Sequence, residues 1–393
     1  MSAIVKFFGA LFTLIFTIIG LFTVYIFAIN FNDEAKSNHT KTVISWLDKR
    51  NIAEQENAFQ HALTLVGTND DIFNDSHAVQ GHFNLSTEEI SLLDEFEQAC
   101  IQQDISHCQQ FIKDNHTAAQ SLLAAQQQMI ESYQQLQTLS LWQQSTELDA
   151  PRQSLNYKYL GKASQLAFLY TLLNATEESE VGGAETEHKA NNIAIEILDF
   201  LADDYQLYAN VYRHPQDLYS NMFAAGMLET NIQLTRQWYQ QLLESRASQN
   251  ETVKLAHIYQ QSLSYEQSNY HTLLAGEWLF SHQTFAQLTQ QEFEISSLSS
   301  YSDALFSYFL QPQSSDNTRA QFSVEVTHYL NGTTDKINND SQAMCHLPPV
   351  EKLWAMRFNP VGKIFNCLNR PNYYSQIVET NNELEQARLA LFN

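Results

Sequence analysis

The sequence predicts an all-α protein: an N-terminal transmembrane helix followed by an irregular multi-helix bundle or an array of helical hairpins. Three observations carry this expectation. Residues 7–29 read FFGALFTLIFTIIGLFTVYIFAI, an apolar run with neither charge nor proline. At 1.5 Å per residue it extends about 34 Å, enough to cross a bilayer core of about 30 Å. Second, 11 Gly and 7 Pro in 393 residues are too few for a turn-rich β fold. Third, long stretches rich in Gln, Leu, Ala and Glu, all good helix formers, carry apolar residues at helical spacing.

A cleaved signal peptide is the rival reading of the first element. Its apolar core spans about 7 to 15 residues and ends in a small-x-small site. The run here is longer, and its exit, Tyr25-Ile26-Phe27-Ala28-Ile29-Asn30, has no such pair. No cysteine follows it, which excludes a lipoprotein anchor. The expectation is an uncleaved signal anchor whose residues 7–29 lie in the lipid bilayer. Lys6 sits on its short side and Asp33 and Glu34 on its long side. The positive-inside rule then makes residues 1–30 a cytoplasmic tip and span, and places residues 31–393 outside the cytoplasm. Within the span Gly9, Thr13, Thr17 and Gly20 form one helical stripe. Small residues of this kind let two membrane helices pack closely, and they are also ordinary in membrane helices.

The exterior part, which leaves out Lys6, carries 20 basic against 44 acidic residues, a net of −24. That balance argues against nucleic acid as a partner, because phosphates need clustered Lys and Arg. It argues equally against lying flat on anionic lipid. A hydrophobic content of 44% supports a packed core, in one large or two ordinary domains. Four cysteines, Cys100, Cys108, Cys345 and Cys367, are an even set. In an extracytoplasmic domain they read as disulfides, and proximity favours Cys100–Cys108 and Cys345–Cys367 among the three connectivities. Their spacing lacks the paired CxxC of a zinc site.

Along the chain, apolar positions from Val43 to Leu65 suggest one helix over residues 41–66, ended by Gly67. Ser86 and Glu89 form a capping box for the next, and Cys100 and Cys108 flank the turn at Asp104. Residues 117–142 read as one Gln-rich amphipathic helix or two, and Pro151 as the start of another. The acidic stretch 175–188, with Gly182-Gly183, reads as an exposed loop. It divides helical subdomains over residues 31–175 and 189–393, unless these are one continuous domain. Helices are expected from Lys189 to Asp203 and from Met227 to Leu243, then over 252–263, 265–288 and 299–310. Residues 321–330 fit helix better than strand, Asn359-Pro360-Val361-Gly362 reads as a turn, and Pro371 opens the last helix.

The single span, the segment FAAGMLETNIQL and the segment FNPVGKIFNCLNRPNYYSQI together resemble a family of uncharacterised bacterial membrane-anchored α-helical proteins. The resemblance implies a bacterial inner-membrane protein facing the periplasm. It implies no activity and no site residues.

No GxSxG, Walker loop, GxGxxG, HExxH or CxxC is present. Asp70, Asp71, Asp75, His77 and His82 gather carboxylates and imidazoles that suit a divalent cation, though such residues are also common in loops. His214 and Asp217 flank Pro215, where capping is the expected role. Glu277 and His282 could form a buried polar pair, but at a spacing of five they do not share a helical face well, and a satisfied structural histidine is the expectation. Trp354, Phe358, Phe365, Tyr373 and Tyr374 suit a groove or, more commonly, a core. Asn359, Pro360, Gly362 and Lys363 form the turn to test for binding. The expectation is a periplasmic, membrane-anchored factor that binds a protein partner or assists envelope assembly, without a cofactor. The alternative is a hydrolase or lipid-handling enzyme whose site is scattered through the helices.

Overall fold

A computed structural model describes residues 2–47, 53, 56–68, 81, 83–149, 154–181, 186–244, 257–290, 308–334, 347–367 and 372–391. The fold is all-α; two isolated bridges, Asn57 with Leu141 and Thr68 with Leu155, stand in place of any strand among the described residues. The chain forms two compact units. The first comprises Met1–Leu47 with Trp278–Tyr374, and the second Asp48–Glu277 with Ser375–Asn393.

In the first unit, α1 spans Ser2–Ile29, and its segment Phe12–Ile29 has a mean hydropathy of 2.4 with none of it buried. This helix is long and apolar enough to cross a membrane. α2 (Asn38–Trp46) starts at Ser37, whose hydroxyl accepts from Thr40 N. It packs on α11 (Pro312–Leu330), which in turn packs on α13 (Pro360–Cys367). α12 covers Pro349–Ala355. Phe285, Leu310 and Val361 form a small core here, and Phe322 meets Tyr374 at 5.7 Å.

The second unit holds α3 (Ala58–Val66), α4 (Thr87–Phe96), a π-helical turn at Glu97–Ile101, α5 (Ile105–Ala125) and α6 (Gln127–Gln137). The long helices α7 (Tyr157–Val181), α8 (Thr186–Arg213) and α9 (Leu218–Glu244) follow, with α8 packed along both others. One contiguous apolar core joins them, from Ala58 to Leu263 and back through Leu384 and Leu391. The capping box expected for α4 is complete: Glu89 N donates to Ser86 Oγ, and Ser86 N to Glu89 Oε2. α10 (Gln267–Gln290) and α14 (Asn372–Leu389) each contain one of the divisions between units.

Several boundaries differ from expectation. The single helix over 41–66 is two, because α2 stops at Trp46 with Leu47 extended and Asn57 caps a new start. The Gln-rich stretch is also two helices, broken at Gln126. The acidic segment 175–188 is helical to Val181 and again from Thr186. Its Ala and Glu residues favour helix whatever their charge. The helices on either side of it lie in the same compact unit, and the division falls elsewhere. Residues 321–330 are helical, as part of α11. The Asn359–Gly362 turn is the start of α13. Residues 252–256 and 299–307, and Pro151, lie outside the described residues.

Candidate functional site

The second unit contains a cleft of about 280 Å³ between α7, α8, α9 and the π-helical turn. Its walls are apolar: Phe168, Phe200, Leu201, Phe223, Met227 and Leu234 all face it. At its floor lies Asp204, 4% exposed. The Tyr133 hydroxyl donates to Asp204 Oδ1 at 2.5 Å, and Gln137 Nε2 donates to the same oxygen at 3.1 Å. Because the Tyr133 hydroxyl is committed to the carboxylate, Tyr208 is the donor in their mutual 2.8 Å bond. These strong donors converge on Oδ1. Among the described residues Oδ2 accepts from the Ser164 hydroxyl, at 3.4 Å, and the Asn231 amide adds a further weak donor to the carboxyl. Burial pushes the Asp204 carboxyl up to about 6 despite these bonds. The same burial holds the Tyr133 and Tyr208 phenols well above their usual range, so both stay neutral.

The rim is built by the π-helical turn, which brings Glu97 and Ile101 to the cleft. π-helical turns of this kind recur at functional sites because the extra residue re-aims side chains. The turn is tied by the disulfide Cys100–Cys108, with Cα atoms 4.2 Å apart. Beyond it Asp104 caps α5 by accepting from Ser106 N and His107 N at 3.0 and 3.1 Å. The hydrogen bonds of Ser106, then of His107, hold its carboxyl well below the usual range. Lys162 sits beside the rim and is fully committed: Nζ reaches Asp94 at 2.6 Å, Gln165 Oε1 at 2.9 Å and Glu97 at 3.3 Å.

A second polar cluster, in the first unit, encloses the exit of α1. Asn30 is 2% exposed. Its amide donates to Ile26 O at 2.8 Å and Arg357 O at 2.9 Å, and its carbonyl oxygen accepts from Asn359 N at 2.7 Å. Its backbone carbonyl accepts from Gln311 Nε2 at 2.7 Å. Asn359 adopts φ 47°, a left-handed conformation that Asn tolerates better than most residues. From there Oδ1 accepts from Gln311 N and Gly362 N, and Nδ2 donates to Ser315 Oγ. A Cβ at Gly362 would overlap Ser315 Oγ and the Asn359 amide and so displace two bonded side chains. Asp33 caps α11 by accepting from Gln313 N and Ser314 N, and Asn317 receives Ser37 N and Thr40 Oγ1. Around this knot Tyr25 stacks on Trp354, Phe27 meets Tyr308 and Phe309, and Arg357 lies 4.5 Å over Trp354.

The residues singled out in the sequence fall as follows. The Cys100–Cys108 bridge is formed. Cys345, and with it the Cys345–Cys367 pairing, lies outside the described residues, as do Asp70, Asp71, Asp75, His77 and His82. Among the described residues no group of His, Cys, Asp and Glu is placed to hold a metal. Asn359, Pro360, Gly362 and Lys363 are a helix start rather than an exposed turn: Asn359 and Gly362 are buried, and Lys363 Nζ donates to Ala355 O. Burial lowers the Lys363 pKa. Asp217 caps α9 through Ser220. His282 is a partly buried, hydrogen-bonded histidine. Glu277 accepts from Leu218 N, while His282 bonds Asp316 at 2.5 Å and stacks on Trp278. In the span, Thr17 Oγ1 donates to Thr13 O, and Gly20 has open space around it. Gly9 lies on the same helix. Trp354 is exposed and Tyr374 buried.

The cleft was missed because its polar residues come from four helices. One signal was available: Asp204 follows Ile197 and Leu201 on the stripe that continues to Tyr208, so a carboxylate stood on a buried face. No protein-family model, curated protein or solved structure matches the chain. Fold and site alone define its class: an all-α protein with one N-terminal apolar helix of membrane-spanning length and a cleft floored by a buried carboxylate.

Proposed function

We propose that the chain is a single-pass, membrane-anchored binding factor of the bacterial envelope, with residues 31–393 in the periplasm, engaging a protein partner or an envelope complex. The observation that carries this reading is the burial of Asn30. A removable leader has no reason to end inside a folded unit, whereas here Phe27, Asn30 and Asp33 supply bonds to Tyr308, Arg357, Asn359 and the start of α11. The surrounding Tyr25, Trp354, Tyr308 and Arg357 match the aromatic and cationic residues favoured at a membrane–water interface. Orientation draws on Lys6 against Asp33 and Glu34, and the bacterial inner membrane on the resemblance of the C-terminal segment. Alkaline phosphatase fused after residue 40 is expected to be active in cells, with a cytoplasmic reporter there silent. The reverse pattern overturns the orientation. Crosslinking in intact cells followed by mild extraction is expected to recover a stable partner, and its absence counts against the binding role.

A further inference from the structure

We infer that the cleft of the second unit binds a small organic cation, an ammonium group carried on an apolar body. Its lining includes two carboxylates, Glu97 and Asp204, and no Lys, Arg or His. Asp204 is buried, and among the described residues its bonds come from hydroxyls and amides, never from a cation. Lys162, beside the rim, is occupied by Asp94, Glu97 and Gln165. A carboxylate taken out of water needs a counter-charge, and Oδ2 is the oxygen left with weak donors. The rest of the lining is aromatic and aliphatic, which suits the body of the ligand and not a hydrated metal ion.

Gly226 gives a way to test the cleft without touching Asp204. It stands in the middle of α9 on the cleft wall, where glycine weakens a helix relative to alanine. A Cβ built there meets nothing within 4 Å. Gly226 is exposed and packing does not demand it, so a large side chain there is the way to crowd the cleft from its edge. The volume, about 280 Å³, lies near the lower end for small-molecule sites, too small for a phospholipid. The net charge of −24 on the exterior part favours accumulation of cations near it.

The test is calorimetric titration of the full chain, held in phosphatidylcholine nanodiscs, with n-hexylammonium, set against hexan-1-ol, hexanoate and empty discs. The expected result is saturable binding of one hexylammonium per chain. Hexanol and hexanoate should bind at least about tenfold more weakly, since hydrogen bonds to charged groups carry that difference. Asp204→Asn should lose at least about tenfold in affinity on the same grounds. Gly226→Leu should abolish binding while helix content and melting temperature are retained. Heats no larger than those of empty discs, hexanol binding as tightly as hexylammonium, or undiminished binding by Gly226→Leu would each overturn the inference.

Discussion

Asn359 does two jobs at once: it holds a left-handed backbone and satisfies Gln311 N and Gly362 N from one oxygen. Asn359→Ala removes both acceptor bonds in a buried setting and adds backbone strain. The expected loss is about 3 to 5 kcal/mol in chemical unfolding of the full chain. Asn359→Gly keeps the conformation accessible, and should be less damaging by about 1 kcal/mol. Equal losses would show that the conformation itself contributes nothing.

Asp204 has the opposite character, because its burial opposes the fold. Its folded pKa of about 6 lies above the ordinary aspartate value of 3.8. The folded state therefore holds the proton more tightly, and stability falls as pH rises from about 4 to about 6. The full cost, about 3 kcal/mol from two pKa units, is present above that window. The groups facing the carboxylate are Tyr133 and Tyr208, both neutral, with Glu97 and the ion-paired Lys162 at the rim. Asp204→Asn should therefore gain stability over the parent as pH rises from 4 to 7, read as a growing difference in melting temperature. A difference independent of pH would contradict the buried ionisable floor.

At the scale of elements, the π-helical turn and its disulfide act together. Closing an eight-residue separation stabilises by about 2.5 kcal/mol in the loop-entropy model, and here it also fixes the turn that carries Glu97 and Ile101. Reduction, or Cys108→Ser, should lower the unfolding midpoint and open the cleft rim, seen as faster hydrogen exchange over residues 97–104. Gly226→Ala should stabilise α9 by about 1 kcal/mol, since its Cβ meets open space.

Elements also show what the sequence made legible. The long apolar N-terminal helix, the capping box at Ser86, the Asp217 cap and the Cys100–Cys108 bridge were readable because each is local, resting on residues a few positions apart. The break after Trp46 was obscured because apolar positions on both sides kept helical spacing. Asn30 was opaque for a different reason: its partner Arg357 lies 327 residues away. No local pattern distinguishes it from any polar residue after a long apolar helix. The Asp204 cleft was half legible, in the carboxylate on an apolar stripe, and half not, because Tyr133, Gln137 and Ser164 reach it from other helices.

At the scale of the whole molecule, an apolar N-terminal helix is joined to its folded unit by a buried knot of amides rather than by a loose linker. Asp33 caps α11 and Glu34 accepts from Asn317, so both acidic residues after α1 are tied into the fold of the first unit. Because the helix exit is part of the fold, its removal should cost the first unit its centre, and Asn30→Leu should make residues 308–367 more sensitive to proteolysis. The central claim is that residues 1–30 are retained as a membrane anchor. Its most direct test is the intact mass of the protein recovered from the carbonate-resistant membrane fraction of cells expressing the full sequence. The account predicts a chain that keeps residues 1–30; a soluble product beginning beyond Asn30 would contradict it.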